Sequence, residues 1–273
     1  MMLRNYILLA LTICCANFGL LQAQTISDTT AIADITENTV IFAEDAAEAA
    51  YKNNNFAESI KLYNEQIAQS KLINQESSQL YYNLGNAYFR DNQIAKAIVN
   101  YERALLLEPN DSDIKHNLLF AKTQIEDKID SADSFFINQW IRSIQNLYSA
   151  NTWATIGIVL FILLIIAIGL YMISAQLILR KVSFYAGIVL LSLVIITNVF
   201  AFKQKNKIIN RSTGIVMSAS VSIYTSPDAN SQELFRLHEG AKVKIKREDG
   251  KWIEIVIANG SVGWLQKKNV ETI

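Results

Sequence analysis

Acid–base, nucleophilic or metal chemistry would fall to very few side chains in this sequence. His116 and His238 are the two histidines. They lie in different segments, His116 on an amphipathic stretch and His238 beside Glu239 in an expected turn. The two cysteines, Cys14 and Cys15, sit inside an N-terminal apolar run. If that run is removed, the mature chain has no thiol for disulfides, redox chemistry or cysteine-ligated zinc. No glycine-rich phosphate loop, metal-spaced cluster or serine–base arrangement occurs. The paired acids Glu44-Asp45 and Asp111/Asp113 read as a solvated helix face and a helix N-terminus. The expectation is a non-enzyme with no catalytic residue, cofactor or metal site.

Net charge is zero, but the charges are unevenly spread. Residues 24–151 hold 18 acidic and 10 basic side chains, and residues 203–273 hold 7 and 12. The split argues for two separate surfaces. It does not suggest a nucleic-acid binder, whose basic groups would cluster in one module. A basic tail next to a membrane span also favours anionic lipid headgroups.

Residues 1–23 read as a secretory signal peptide, with Arg4 as the positive region, Tyr6–Leu21 as the apolar stretch and Leu21-Gln22-Ala23 as the cleavage site. A lipoprotein signal on Cys14 or Cys15 is the other reading, although Ile13 is large for the position before a modified cysteine. Residues 24–39 are polar and aperiodic, which predicts a disordered lead-in.

Over residues 40–130 apolar and small residues recur at helical spacing. Tyr81, Leu84, Gly85, Tyr88, Ala97, Tyr101, Ala104 and Pro109 fall at the signature positions of a tetratricopeptide repeat. Gly85 and Ala97 are small where two helices cross, the tyrosines fill the space around the crossing, and Pro109 ends the second helix. A degenerate copy lies upstream at Ala47, Ala50-Tyr51, Phe56, Ser59 and Tyr63. Asp111–Ile129 reads as a capping helix for the stack. Residues 131–151, with Phe135, Phe136, Trp140, Ile144, Leu147 and Tyr148, form an amphipathic juxtamembrane helix. It lies either in the membrane interface or against the repeats.

Two charge-free apolar stretches follow, at residues 152–179 and 182–202. Each is long enough to cross a bilayer, and Arg180-Lys181 is read as a two-residue turn between them. Gln176 and Asn198 are the polar exceptions, suited to bonding between the helices. An export signal followed by two crossings puts both end domains on the outer face. Lys203, Lys205, Lys207 and Arg211 pull the other way under the positive-inside rule; the crossing parity is followed here. Residues 213–273 change to short strands broken by Pro227, Gly240, Asp249-Gly250 and Asn259-Gly260, the last a hairpin signal. The fold class is thus a multidomain membrane protein: all-α helical repeats, two transmembrane helices and a small all-β barrel.

The tail resembles the bacterial Src-homology-3-like domain through Val216, Val221-Ser222-Ile223-Tyr224, Leu237, Gly240, Val243, Trp252, Val256, Gly260 and Gly263-Trp264-Leu265. Such domains bind peptides or cell-wall material. The complete order of segments resembles the BatE family of the Bacteroides aerotolerance operon. That resemblance implies a bacterial inner-membrane, multi-pass protein with its N- and C-terminal domains in the periplasm. It also implies membrane-protein partners with von Willebrand factor A domains, and a role in aerotolerance or stress.

The repeat pattern puts Glu44, Glu48, Tyr82, Asn83, Asn86, Phe89, Arg90, His116, Asn117 and Phe120 toward a peptide-binding groove. Asn83 and Asn117 are suited to bidentate contact with peptide backbone amides, and Glu44 and Glu48 would repel a carboxylate. Tyr224 and Trp264 are expected to expose an aromatic ligand surface on the barrel, with Trp252 in its core. The expected partners are protein segments in the groove and the lipid bilayer. Peptidoglycan at the barrel is the alternative.

Overall fold

The computed structural model describes residues 46–73, 75–128 and 136–273. The expected signal peptide and lead-in, both cysteines, Glu44 and Phe135 lie outside the described residues. Five helices form the repeat unit: α1 (residues 46–52), α2 (Phe56–Leu72), α3 (Ser78–Arg90), α4 (Ile94–Leu107) and α5 (Ser112–Thr123). Asn54 and Asn92 take left-handed backbone conformations in the α1–α2 and α3–α4 turns, which asparagine tolerates better than most residues. These turns are equivalent points of the two repeats, so the degenerate first copy folds as the second does. Asn55, Ser77 and Asp111 cap α2, α3 and α5 with their side chains, satisfying amides that have no partner inside the helix. Where α3 meets α4, a Cβ on Gly85 would lie 2.7 Å from the ring of Tyr101. Tyr63, Tyr81 and Tyr101 are fully buried around that crossing.

The amphipathic helix α6 (Phe136–Gln145) keeps Phe136, Ile137 and Trp140 exposed. It is fastened to an apolar helical hairpin, α7 (Ala150–Ile173) and α8 (Leu177–Asn210), by a buried amide hub. Gln204 Nε2 donates to Gln145 O at 3.1 Å, and Trp153 Nε1 donates to the same carbonyl at 2.9 Å. Both hairpin helices are long and apolar enough to cross a bilayer. They break at Ser174–Gln176 and not at Arg180-Lys181 as the sequence suggested. Arginine and lysine are good helix formers whose heads can reach an interface, whereas the Ser174 hydroxyl accepts the Gln176 N–H and closes a turn. For the same reason α8 continues through the basic residues to Asn210, beyond the expected end at 202.

Two residues after α8 the chain enters an antiparallel sheet: β1 (Thr213–Val216), β2 (Ser220–Tyr224), β3 (Glu233–His238), β4 (Lys242–Asp249), β5 (Trp252–Val256), β6 (Val262–Gln266) and β7 (Val270–Thr272). The order is β3-β2-β6-β5-β4-β1-β7. Register irregularities at Ile223/Tyr224 and Ile245/Arg247 bend the strands, and inward residues from β1 to β6 meet in one core. The expected Asn259-Gly260 hairpin joins β5 to β6, with Gly260 at φ +91°.

The repeats and the barrel are docked on each other. In β1, Val216 packs into the barrel core while its neighbour Ile215 packs into the repeat core, joined there by Ile273. Fully burying two such side chains contributes up to about 3–6 kcal/mol. Around them, Glu102 of α4 is nearly enclosed and accepts from Lys122 Nζ at 2.8 Å and Lys242 Nζ at 2.6 Å. Arg103 donates to Thr272 O and to Glu271 Oε1, each at 2.9 Å. Asp127 receives the His238 backbone N–H and lies 2.9 Å from its Nδ1. Arg211 meets Glu76 at 2.6 Å. The acidic front half and basic tail, read from sequence as separate surfaces, therefore face each other in three of these four contacts.

This dock should depend on pH at both ends. Burial pushes the Glu102 carboxyl up, but Lys242 and Lys122 outweigh it and hold the group below its ordinary 4.5. Its contribution is present above 4.5 and is lost as pH falls through the lowered value. The hydrogen bond to Asp127 raises His238 above 6.5; that contribution is complete below 6.5 and is lost as pH rises through the raised value. Hydrogen-exchange protection of β1, corrected for intrinsic rates, should be greatest in mildly acidic buffer and decline on both sides. His238→Gln should flatten the alkaline limb alone; an unchanged alkaline limb would remove His238 from the account.

Candidate peptide-binding groove

The face of the repeats away from the barrel carries two depressions that share Tyr51 and Asn86. One, of about 450 Å³, is bordered by Glu48, Lys52, Gln79 and Asn83; the other, of about 220 Å³, by Phe89, Arg90, Tyr101, Asn117 and Phe120. No barrel residue borders either. Helices α1, α3 and α5 supply most of the lining because they are the first helices of the successive pairs. Their outward positions recur at the spacing of one helical face.

The floor is a hydrogen-bonded set. Burial raises the Tyr101 phenol well above its ordinary value, so it stays a donor, and its hydroxyl gives its proton to Asn86 Oδ1 at 2.8 Å. Asn117 Nδ2 donates to the same oxygen at 2.9 Å and to Tyr82 Oη at 3.0 Å. Asn86 Nδ2 and Asn117 Oδ1 then have no partner among the described residues. One donor and one acceptor, on two asparagines whose other amide atoms are bonded to each other, match what an extended peptide backbone presents. Asn83 Oδ1 is engaged by Gln79 at 2.9 Å, so Asn86 replaces Asn83 as the partner of Asn117 on this floor.

The walls are aromatic and charged. Phe89 and Phe120 lie 5.5 Å apart by ring centroids, and the Arg90 guanidinium lies 5.2 Å over Phe56. Glu48 is paired with Lys52 at 2.6 Å. The repulsion of a carboxylate expected from Glu44 and Glu48 is thus offset at Glu48, and the Glu44 half of that expectation lies outside the described residues. His116 is exposed on α5 and borders neither depression. Tyr51, Lys52, Gln79 and Tyr101 were not anticipated as lining. Tyr51 and Tyr101 had been assigned to packing, which they also do.

On the barrel the expected aromatic surface changes membership. Trp264 is 6% exposed and covered by Arg247, whose guanidinium lies 4.9 Å from its ring. Trp252, expected in the core, is half-buried and meets Tyr224 edge to face at 5.7 Å. Only Trp252 departs in register: Trp264 alternates with the inward Leu265 and stays on the outer face opposite Tyr224. Ile253 and Ile255 take the inward positions of β5 and turn Trp252 outward, while Gly263 beside Trp264 lets β6 approach Ile223 closely.

Residues 78–111 match the tetratricopeptide repeat family and residues 219–271 match the bacterial SH3 domain family. No curated protein matches the chain. The first match points to protein–protein interaction and the second to cell-wall binding.

Proposed function

We propose that this chain is a non-enzymatic, membrane-anchored interaction scaffold of the bacterial envelope. Its groove takes an extended segment of a partner protein, its hairpin holds the assembly at the inner membrane, and both folded domains stand in the periplasm. The observation that carries the reading is the dock: the barrel covers the outer face of α4 and leaves the groove, with its paired free amide groups, open. The two membrane-length helices and the exposed apolar face of α6 support anchoring. The order of segments, similar to that of the aerotolerance family, favours membrane proteins with von Willebrand factor A domains as partners and a stress-related role.

The test is site-specific photo-crosslinking in native membranes. A crosslinker at position 120 should capture a membrane-protein partner, and one at position 244 on the barrel should not. Asn117→Leu, which removes the free acceptor and a donor from the floor, should cut that capture about tenfold, the equivalent of 1–2 kcal/mol. Capture from position 244 alone would overturn the groove. A second reading rests on the half-exposed Tyr224–Trp252 pair, which suits stacking on cell-wall sugars. Co-sedimentation of the full chain with purified sacculi that Trp252→Ala abolishes, with groove capture absent, would favour it.

A further inference from the structure

A cavity of about 890 Å³ lies where the repeat domain rests on the emerging end of the hairpin, bordered by Lys71 from the repeats, Asn151 of α7, and Asn198, Phe202, Lys205 and Ile209 of α8. It falls within the range of about 300–1,000 Å³ common for small-molecule sites. From Lys181 to Phe202 an α-helix advances about 31 Å, close to the roughly 30 Å of a bilayer's hydrocarbon core. With Arg180-Lys181 at one interface, the cavity opens at the headgroup level of the other.

Charge is graded in the same direction. Phe202 belongs to the apolar span, while Lys71 and Lys205 stand toward the repeats. The acids here are already taken: Glu76, which itself borders the cavity, by Arg211, and Glu271 by Arg103. Lys71 and Lys205 have no salt bridge among the described residues. Lys71 is held below its ordinary 10.5 by burial and then by Arg103 and Arg211, against the opposing Glu76 and Glu271. Two cations without a carboxylate partner, Lys71 lying 5.9 Å over the Tyr81 ring, beside two already-paired arginines make a place short of negative charge.

Building on the membrane-anchored reading, we propose that this cavity is a binding site for an anionic phospholipid. Lys71 and Lys205 contact the headgroup phosphate, Asn151 borders the polar headgroup, and the first acyl carbons lie against Ala154, Ala201 and Phe202. A soluble peptide carboxylate fits less well, because the lower wall belongs to helices whose faces are exposed to lipid.

The test uses the full chain reconstituted in vesicles of equal phosphatidylglycerol and phosphatidylcholine, extracted in mild detergent, with retained lipid counted by native mass spectrometry. Phosphatidylglycerol should be retained at least about tenfold over phosphatidylcholine, as expected of two lysines at a lipid surface. Lys71→Gln/Lys205→Gln should bring the ratio near parity, Lys205→Gln alone should lower it partway, and Lys244→Gln/Lys246→Gln on the barrel should leave it unchanged. Equal retention of both lipids, a preference that survives the double variant, or displacement of the lipid by millimolar inorganic phosphate would each overturn the site. Alkaline carbonate washing of the wild-type membranes separates the two readings: release of the chain would end the anchoring itself, whereas a retained chain without lipid preference ends only the lipid site.

Discussion

Gly240→Val is expected to separate the barrel from the repeats while leaving both folded. Gly240 sits in the β3–β4 turn at φ +88°, where a β-branched residue costs about 1–3 kcal/mol in backbone strain. A Cβ there would also run into Ile125, which follows α5, and approach Ile98 of α4, adding roughly 1–3 kcal/mol of overpacking. A combined loss of about 3–5 kcal/mol corresponds to a fall of roughly 10² to 10⁴ in protection against hydrogen exchange, expected in peptides spanning 94–107 and 213–217. Gly250→Val is the control. Its φ is +56° with open space around the missing Cβ, so it carries the strain without the collision and should weaken the β4–β5 turn but not the dock. Equal exchange in the two variants would mean that the contact with Ile125 and Ile98 does not hold the domains together.

The other large effect should come from Gly85→Leu, which is expected to unfold the repeats. The leucine must enter a crossing where even its Cβ would press on Tyr101, 1% exposed and fixed through its hydroxyl to Asn86. Neither helix can retreat without opening the core around Tyr63 and Tyr81. A loss above about 4 kcal/mol is expected, at the severe end for a single substitution. Circular dichroism at 222 nm should lose the melting transition of the repeats and keep the helicity of the hairpin. Gly85→Ala should be milder, and in a Tyr101→Leu background its cost should shrink, since the two sites share one contact. An additive cycle would show that Gly85 is small for some reason other than Tyr101.

These positions differ in how far they could be read from the chain. Gly85 and Tyr101 belong to a local pattern in which spacing alone says which residue meets which, so the helical pairs were legible. So were the hairpin and the strands, whose apolar runs answer to a single solvent or a single core. The dock was not, because Glu102 and Lys242, or Arg103 and Glu271, are joined only through the fold and no period links them. Glu102 looks like an ordinary surface acid on a helix. A clue was present in α4 itself: Ala95, Ile98, Val99, Tyr101 and Leu105 extend its apolar character beyond the single stripe of a surface helix, which implies a partner on each side. Trp252 was misassigned because a one-residue change of phase in a strand reverses its faces and Ile253 and Ile255 hold the inward phase of β5. Trp264 keeps the outer face, opposite Tyr224, and is hidden only because Arg247, from a different strand, folds over it. The groove was legible as a face, but its free donor and acceptor were not. Those depend on which amide atoms Tyr101 and Tyr82 already occupy.

The entry of the chain into β1 only two residues after α8, through Arg211 in a left-handed conformation at φ +36°, also has a thermodynamic consequence. A barrel tied to the hairpin, which the same chain ties to the repeats, is confined near its docking face, and its effective concentration there is of the order of millimolar or more. A contact that would dissociate at about 0.1 mM between separate molecules would then be closed roughly nine-tenths of the time. Evolution therefore needed only a weak interface to keep the two domains joined, and any soluble competitor for the outer face of α4 starts at a tenfold or greater disadvantage in occupancy.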